Sequence, residues 1–225
     1  MIVGIHQPNY LPYLGFFDKM LKSDVFIIYD DAQFNKSDFQ HRNRIKIFNG
    51  SKWLTVPVSK KHIPINEIKI KNDFLIKGIK WNDDHFNQIY SNYSKSACFE
   101  KYINGLKDIY ENEYELLVDL NIELIRFMMD SFSIKKEIIL SSEFGFNTTS
   151  STKIVDLVKA VGGDTYLSGP TGKNYMDLNV FSNSEINVVF QTFVHPQYKQ
   201  QYMGFLPNMS SIDALLNGYR FDYFE

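Results

Sequence analysis

Short runs of β-forming residues alternate with helical patterns in the first part of the chain. Residues 2–5 and 25–29 carry no polar interruption, which is typical of strands buried on both faces of a parallel sheet. Apolar residues recur at helical spacing over 10–21, and Pro12 suits the first turn of that helix. This order predicts a βαβ unit whose two strands end at the same edge of the sheet.

The pattern changes after residue 40. Residues 44–48 and 52–58 flank Asn49-Gly50, which is a strong signal for a β-hairpin. Residues 63–70 resemble a short edge strand, because Pro64 limits pairing. Amphipathic stripes then predict three helices, over residues 77–93, 99–110 and 114–132.

The last part of the chain returns to alternating strands and helices. The predicted strands are 136–141, 165–167 and 186–191. Helix signals predict one helix between the cap residues 147–151 and Gly162-Gly163, and a short helix over 212–216. No Pro-, Gly- or Ser-rich linker divides the chain. We expect a single α/β domain over 1–225 with a mostly parallel Rossmann-like sheet flanked by helices, an inserted antiparallel hairpin and a helical insertion at about 77–132.

Composition and charge narrow the class of protein. The 225 residues carry a formal net charge of -2, which gives no general attraction to nucleic acid or anionic membranes. A single cysteine, Cys98, excludes an intrachain disulfide and favours a reducing compartment. The sequence has neither a signal-peptide pattern nor an apolar run of transmembrane length. We therefore expect a cytoplasmic protein with no nucleic-acid partner, and the oligomeric state stays open.

The strongest candidate for chemistry follows the first predicted strand. His6 supplies a titratable imidazole, Gln7 and Asn9 supply directed amide hydrogen bonds, and Tyr10 supplies a phenol. A polar, Pro-containing loop between a strand and a helix is a frequent ligand site in α/β proteins. The alternative is a loop in which these side chains only satisfy the backbone of a turn.

Asp30 and Asp31 follow the second predicted strand, and Gln33 comes shortly after. Paired carboxylates suit Mg²⁺ binding or general-base chemistry, although an Asx turn has the same composition. The next segment is basic and polar and could hold phosphates or be simply solvated. Its candidate binding residues are Lys36, Gln40, Arg42, Asn43 and Lys46.

Two later clusters complete the candidates. Ser168 and Gly169 begin a Gly-containing loop that runs to Tyr175; its glycine spacing differs from a Walker A motif, but its backbone N–H groups could contact a ligand. His195 and Tyr198 follow the last predicted strand and could complete a site or serve the fold. Neither zinc-binding nor serine-hydrolase motifs occur, so we predict no metal site.

Six segments together resemble one protein family. They are HQPNYLPYLGFFDKM, DDAQFNKSDFQHRNRIK, WLTVPV, YLSGPTGKNY, HPQY and MSSIDALLNG. In this order they resemble the WbqC-like family of bacterial proteins along nearly the whole chain. Tyr13 and Phe39 replace a tryptophan found in many members, and both retain an aromatic ring.

The resemblance implies a role in O-antigen or other surface-polysaccharide biosynthesis. It suggests a transferase that adds an acyl, formyl or aminoacyl group to a nucleotide-linked amino sugar. His6 would be the base, and Asp30 or Asp31 would orient it or bind a metal. The substrate contacts would be Gln7, Asn9, Tyr10, Tyr13, Gln33, Lys36, Gln40, Arg42, Asn43, Lys46, Trp53, Ser168, Gly169, Tyr175, His195 and Tyr198.

Two other functions fit the same residues. The first strand ending in His6 and the Gln33-Phe34 pair resemble pantothenate synthetase and related nucleotidyltransferase-like folds, which implies an ATP-using, adenylate-forming enzyme. The His-x-x-His pair of those enzymes is absent here. The other reading is a non-catalytic component that binds a sugar nucleotide. Acyl-CoA, formyl-folate and ATP with Mg²⁺ are all compatible co-substrates, and no sequence signature selects among them.

Overall fold

The computed structural model describes residues 1–59, 62–174 and 176–221. The chain divides into two compact units, each built from three segments. Unit 1 comprises Met1–Gln7, Gly15–Ala32 and Lys135–Val194. Unit 2 comprises Pro8–Leu14, Gln33–Ile134 and His195–Glu225. That the whole chain forms a single domain stays a prediction.

The elements are numbered along the chain. The strands are β1 (Ile2–His6), β2 (Val25–Ile28), β3 (Arg42–Ile47), β4 (Gly50–Thr55), β5 (Leu75–Ile76), β6 (Ile79–Lys80), β7 (Ile138–Leu140), β8 (Thr165–Ser168) and β9 (Asn187–Phe190). The helices are α1 (Leu14–Leu21), α2 (Trp81–Tyr93), α3 (Phe99–Glu111), α4 (Leu117–Ser131), α5 (Ser150–Ala160), α6 (Leu178–Asn183) and α7 (Ser211–Leu216).

Unit 1 is built on a five-stranded sheet in the order β7-β2-β1-β8-β9. Every pairing in it is parallel. Helices cover both faces: Phe16 of α1 packs against Phe26 on one face, while α5 and α6 pack against the opposite face, which carries Val3 and Ile5. The structure confirms the predicted α/β fold with a parallel Rossmann-like sheet.

Gly4 leaves room for Ser23, which follows α1, and for the Phe26 ring of β2. A Cβ atom built on Gly4 would lie 2.2 Å from Ser23 Oγ and 2.9 Å from the Phe26 ring. Ser23 in turn donates to the carbonyl of Lys19 at 2.7 Å, which ties the end of α1 together. The absence of a side chain at Gly4 therefore lets Ser23 and Phe26 pack directly against the backbone of β1.

Unit 2 contains two antiparallel hairpins and four helices in its described part. The predicted first hairpin is confirmed, but its strands begin earlier. Ile47 pairs with Gly50, so Phe48 and Asn49 form the loop. Leu54, Val56 and Val58 are buried, as expected for the inward face of the second strand.

Three local predictions are wrong. Residues 10–13 precede α1 rather than beginning it, and Leu11 has a positive φ of 43°, which a helix does not allow. Residues 63–70 contain a 3₁₀ turn at Ile65–Glu67 instead of a strand. The helix predicted from residue 77 starts at Trp81, because Lys77 and Gly78 both have positive φ and form the tight loop between β5 and β6.

Helix α6 was not predicted. Asp177 caps it by accepting a hydrogen bond from the Asn179 backbone N–H at 3.0 Å.

Within the described ranges, no helix has the length and the apolar character needed to span a membrane.

Candidate functional site

In unit 1, successive strands are first added on one side of β1 and later on its other side, so the strand order reverses at β1. Counted along the chain, the parallel strands lie in the order third, second, first, fourth, fifth. β2 and β7 lie on one side of β1, whereas β8 and β9 lie on the other. Open α/β sheets bind ligands at the carboxyl ends of the two strands that flank such a point. These strands are β1 and β8. We use the term carboxyl edge for the residues that follow the parallel strands.

His6 is the last residue of β1. Its Nδ1–H donates to the Gln7 carbonyl at 3.0 Å, which leaves Nε2 with the lone pair. The ring packs edge-on against Phe16, with 4.9 Å between centroids. Burial, together with the positive charge of Lys19, lowers the pKa of His6 to about 4. At neutral pH the imidazole is therefore uncharged and can accept a proton.

Lys19 reaches the same region from α1. Its side chain is 2% exposed, and Nζ donates to the Ile5 carbonyl at 2.6 Å. Burial lowers the pKa of this amine to about 7. Lys19 and His6 are thus two titratable groups at the end of β1, and both favour the neutral form more than exposed side chains do.

A second polar group lies on α1 beside Lys19. Asp18 forms an ion pair with Lys22 at 2.9 Å and accepts from Gln191 Nε2 at 2.6 Å. Gln191 follows β9 and also donates to the Gly15 carbonyl at 2.8 Å. The carboxylate next to Lys19 is therefore committed to other partners.

Asp30 and Asp31 bind the loop after β7. Asp30 accepts from Ser141 Oγ at 2.9 Å, from the Ser142 backbone N–H at 3.0 Å and from Ser142 Oγ at 2.6 Å. Asp31 accepts from Ser141 Oγ and forms an ion pair with buried Lys153 at 2.8 Å. These contacts connect the ends of β2 and β7.

The predicted roles of these two carboxylates stay predictions, and the structure shows both of them in other contacts. The hydrogen-bond partner that orients the His6 ring is the Gln7 carbonyl, and Asp30 and Asp31 are occupied by hydroxyl groups and an amine. A search of the described residues finds no group of three or more His, Cys, Asp or Glu that could hold a metal ion. Neither the orienting role nor a Mg²⁺ site gains support.

Ser168 and Gly169 end β8, on the far side of the reversal point. Ser168 is fully buried, and its hydroxyl donates to the Gly169 carbonyl at 3.1 Å. A Cβ atom on Gly169 would meet nothing within 4 Å, so its backbone has open space around it. Tyr175, the other predicted contact of this loop, lies outside the described residues.

The remaining predicted site residues belong to unit 2. Tyr10 is buried, and its hydroxyl shares hydrogen bonds with His85 Nδ1 at 2.8 Å and with Tyr110. Burial raises the pKa of Tyr10 and lowers that of His85 to about 3. Asn9 is also buried, and Tyr13 pairs with Ser210 in an isolated β-bridge. Tyr10 therefore serves the packing of unit 2.

Three of the predicted polar residues in the basic segment serve the backbone. Gln40 Oε1 accepts from the Asn35 N–H at 2.7 Å, and Asn43 Nδ2 donates to the Leu11 carbonyl at 2.6 Å. Lys46 is 1% exposed, and its amine donates to a backbone carbonyl of residue 204. The predicted diphosphate contact at Lys46 stays a prediction; in the structure its amine donates to a backbone carbonyl.

Trp53 lies on β4, the strand that pairs with this segment, and is exposed. Its ring is 43% exposed and lies 5.9 Å from that of Phe39. The Arg42 guanidinium lies 4.7 Å from the Trp53 centroid and donates to the Ser37 carbonyl at 2.7 Å. Of the other predicted contacts, Lys36 is exposed, and Gln33 is exposed and donates to His62 Nδ1 at 3.1 Å.

His195 and Tyr198 adjoin a buried carboxylate of unit 2. Asp213 accepts from Tyr93 at 2.8 Å, from Tyr198 at 2.7 Å and from Gln200 at 2.7 Å. Burial raises the pKa of Asp213 despite these donors. His195 Nδ1–H donates to the carbonyl of the next residue at 2.9 Å, and burial lowers its pKa.

Comparison with known proteins identifies the family. The model of the WbqC-like protein family matches residues 7–220. The chain belongs to the WbqC-like family. A relative from Mycobacterium tuberculosis (strain ATCC 25618 / H37Rv), named Uncharacterized protein Rv1507c, is 34% identical over 220 residues. The match covers 96% of this chain and 93% of the relative. No solved structure matches this WbqC-like chain significantly.

The structure shows two buried charged residues of this WbqC-like chain that the sequence did not single out. Lys19 follows Asp18 in α1, whose remaining residues are apolar apart from Gly15, and a lysine in such a helix is the signal that could have found it. Asp213 had no comparable signal, because a charged residue in the first turn of a short helix is ordinary.

Proposed function

We propose that this WbqC-like protein is a transferase that forms an amide on the amine of a nucleotide-linked sugar at the carboxyl edge of unit 1. The acyl, formyl or aminoacyl group would come from a separate donor. The observation that carries the proposal is the presence of His6 and Lys19 at the end of β1, where the strand order reverses. The resemblance to the WbqC-like family supports a role for such a reaction in O-antigen or other surface-polysaccharide biosynthesis.

His6 suits one particular step of amide formation. A base with a pKa near 4 removes protons poorly from a free ammonium group. When an amine attacks a carbonyl, however, its nitrogen becomes positively charged and much more acidic, so a weak base can take that proton. His6 Nε2 would accept it, while the Gln7 carbonyl holds the Nδ1–H in place.

Nucleotide binding is supported by the topology of the sheet. Parallel sheets with this strand order bind nucleotides beside the carboxyl ends of the strands that flank the reversal. Gly169 leaves open space next to the backbone after β8, where a phosphate or ribose group could approach closely. The same topology favours an adenylate-forming enzyme as the second candidate function.

The test is a product assay with the purified protein. UDP- and dTDP-linked amino sugars are incubated with acetyl-CoA, formyl-tetrahydrofolate, or amino acids plus ATP and Mg²⁺, and products are identified by mass spectrometry. We expect an amide-bearing sugar nucleotide with one donor, and loss of that product in His6→Ala and His6→Gln. Circular dichroism and thermal unfolding check that both variants are folded.

Two results would contradict the transferase. Near-normal turnover in folded His6→Ala would remove the role of the base. Exchange of pyrophosphate into ATP with a carboxylate substrate, and no modified sugar nucleotide, would identify the adenylate-forming enzyme instead.

A further inference from the structure

The amine of Lys19 reaches the backbone of β1, where it donates to the Ile5 carbonyl. Lys19 belongs to α1, which covers the face that carries Phe26, whereas Tyr166 of β8 packs on the opposite face with Val3. The Lys19 amine is nevertheless 5.6 Å from the centroid of the Tyr166 ring. The side chain therefore extends from one face of the sheet into the space between β1 and β8.

The backbone explains why this space exists. The His6 carbonyl accepts from Tyr29 N–H on the β2 side at 2.8 Å, and carbonyl directions alternate along a strand, so the Ile5 carbonyl faces β8. Pairing between β1 and β8 ends at Gly4 and Leu167, one residue earlier. The amine of Lys19 thus occupies the first position at which the two strands no longer pair.

The charge of Lys19 is incompletely balanced. Among the residues that the structure describes, no carboxylate forms an ion pair with it, and the Ile5 carbonyl is its hydrogen-bond acceptor. The neighbouring Asp18 carboxylate binds Lys22 and Gln191. Burying an ammonium group with one acceptor and no counter-charge is costly, so an anion that entered between the strands would be strongly favoured.

We propose that the amine of Lys19 binds a phosphate group of the nucleotide-linked substrate at the divergence of β1 and β8. This inference rests on the proposed function, since it assigns the anionic part of that substrate. The charged and titratable groups that face the amine are His6 on β1, Asp18 with Lys22 on α1, and the Tyr166 phenol on β8. The reacting sugar would then lie further out, beside His6.

Binding of phosphate by Lys19 has a second consequence. With a pKa of about 7, the amine is largely neutral in the free protein at mildly alkaline pH. A bound phosphate stabilises the ammonium form, so the protein takes up a proton when the ligand binds. If Lys19 only supported the fold, ligand binding would not change the number of protons that its amine binds.

The experiment is isothermal titration calorimetry with UDP and with inorganic pyrophosphate at about pH 8, in two buffers of different ionisation enthalpy. We expect both probes to bind the native protein, and we expect UDP, whose phosphates are fully ionised at this pH, to bind with uptake of close to one proton. Lys19→Met should bind each probe at least about tenfold more weakly and without proton uptake. Lys159→Met, which removes an exposed lysine of unit 1, should match the native protein.

Four outcomes would overturn the phosphate site. They are no binding of either probe to the native protein, binding of UDP without proton uptake, affinity of folded Lys19→Met within about twofold of native, and binding of acetate in preference to both phosphate probes. Because proton uptake is measured on the native protein, a folding defect in Lys19→Met does not prevent the test. The product assay is separate, so failure of the transferase and failure of the phosphate site can be told apart.

Discussion

At the residue scale, His6 differs from an ordinary histidine because burial removes the solvent that stabilises its charged form. The same holds for His85 in unit 2, although its partner is a phenol. His6 is at the end of β1 and packs against Phe16, whereas His85 is enclosed by aromatic rings. Only the position in the fold separates a candidate base from a packing residue.

The ionisation of His6 can be measured directly. We expect its ring to stay neutral down to about pH 5 and to titrate near pH 4, because burial and the Lys19 charge disfavour the imidazolium. NMR of the imidazole carbons across a pH series gives this value, and Lys19→Met should raise the midpoint. A midpoint near the ordinary 6.5 would show that the ring is solvated.

Asp213 is expected to matter for stability. Asp213→Ala leaves two phenols and an amide without their shared acceptor, which should lower the free energy of unfolding by about 2–4 kcal/mol. Urea denaturation measures the difference. Asp108→Ala, which removes an exposed carboxylate of α3, should change it by less than about 0.5 kcal/mol. Equal effects would mean that the network contributes no net stability.

At the element scale, the sheet was predictable and the loops were not. The uninterrupted apolar runs at β1 and β2 predict parallel strands, and the polar residues after them indicate the carboxyl edge. The reversal of strand order depends on which long-range pairs form, and local patterns do not encode it. The tight loop at Lys77-Gly78 was missed because apolar spacing continued across it, although Gly78 marks the turn.

The candidate site was predicted in part for the same reason. His6, Gln7, Ser168 and Gly169 stand directly at strand ends, where topology alone brings them to one edge. Lys19 is different, because it lies on a helix and arrives at that edge through the length of its side chain. Its role follows from the early end of the β1–β8 pairing, which no spacing rule gives.

The contact between α1 and β1 gives a test at this scale. Gly4→Ala would place a methyl group 2.2 Å from Ser23 Oγ, and we expect it to lower the free energy of unfolding by about 1–3 kcal/mol. The matched variant Gly169→Ala introduces the same methyl group into open space and should cost little or nothing. If both variants unfold at the same urea concentration, α1 moves without strain.

At the scale of the whole molecule, the buried histidines make stability depend on pH. An unfolded chain protonates His6 and His85 below about pH 6.5, whereas the folded protein leaves them neutral until about pH 4 and 3. Unfolded molecules therefore bind more protons in this window, and the free energy of unfolding should fall as the pH decreases from 6.5 towards 4. Urea titrations across that range give the slope.

The control for this slope is a variant that cannot titrate. His6→Gln should reduce the pH dependence of the free energy of unfolding, by up to one proton, without changing its sign. An unchanged slope in His6→Gln would mean that His6 has the same pKa in the folded and unfolded chains.

Because each unit consists of three separate chain segments, the two units are completed at different times during translation. Translation delivers all of unit 1 by Val194, while unit 2 still lacks its last segment, which contains Asp213 and α7. Tyr93 of α2, which donates to Asp213, is therefore made long before its acceptor. A nascent chain can complete the parallel sheet first, and a chain cut off after Val194 would keep every strand of that sheet but leave unit 2 without its buried carboxylate.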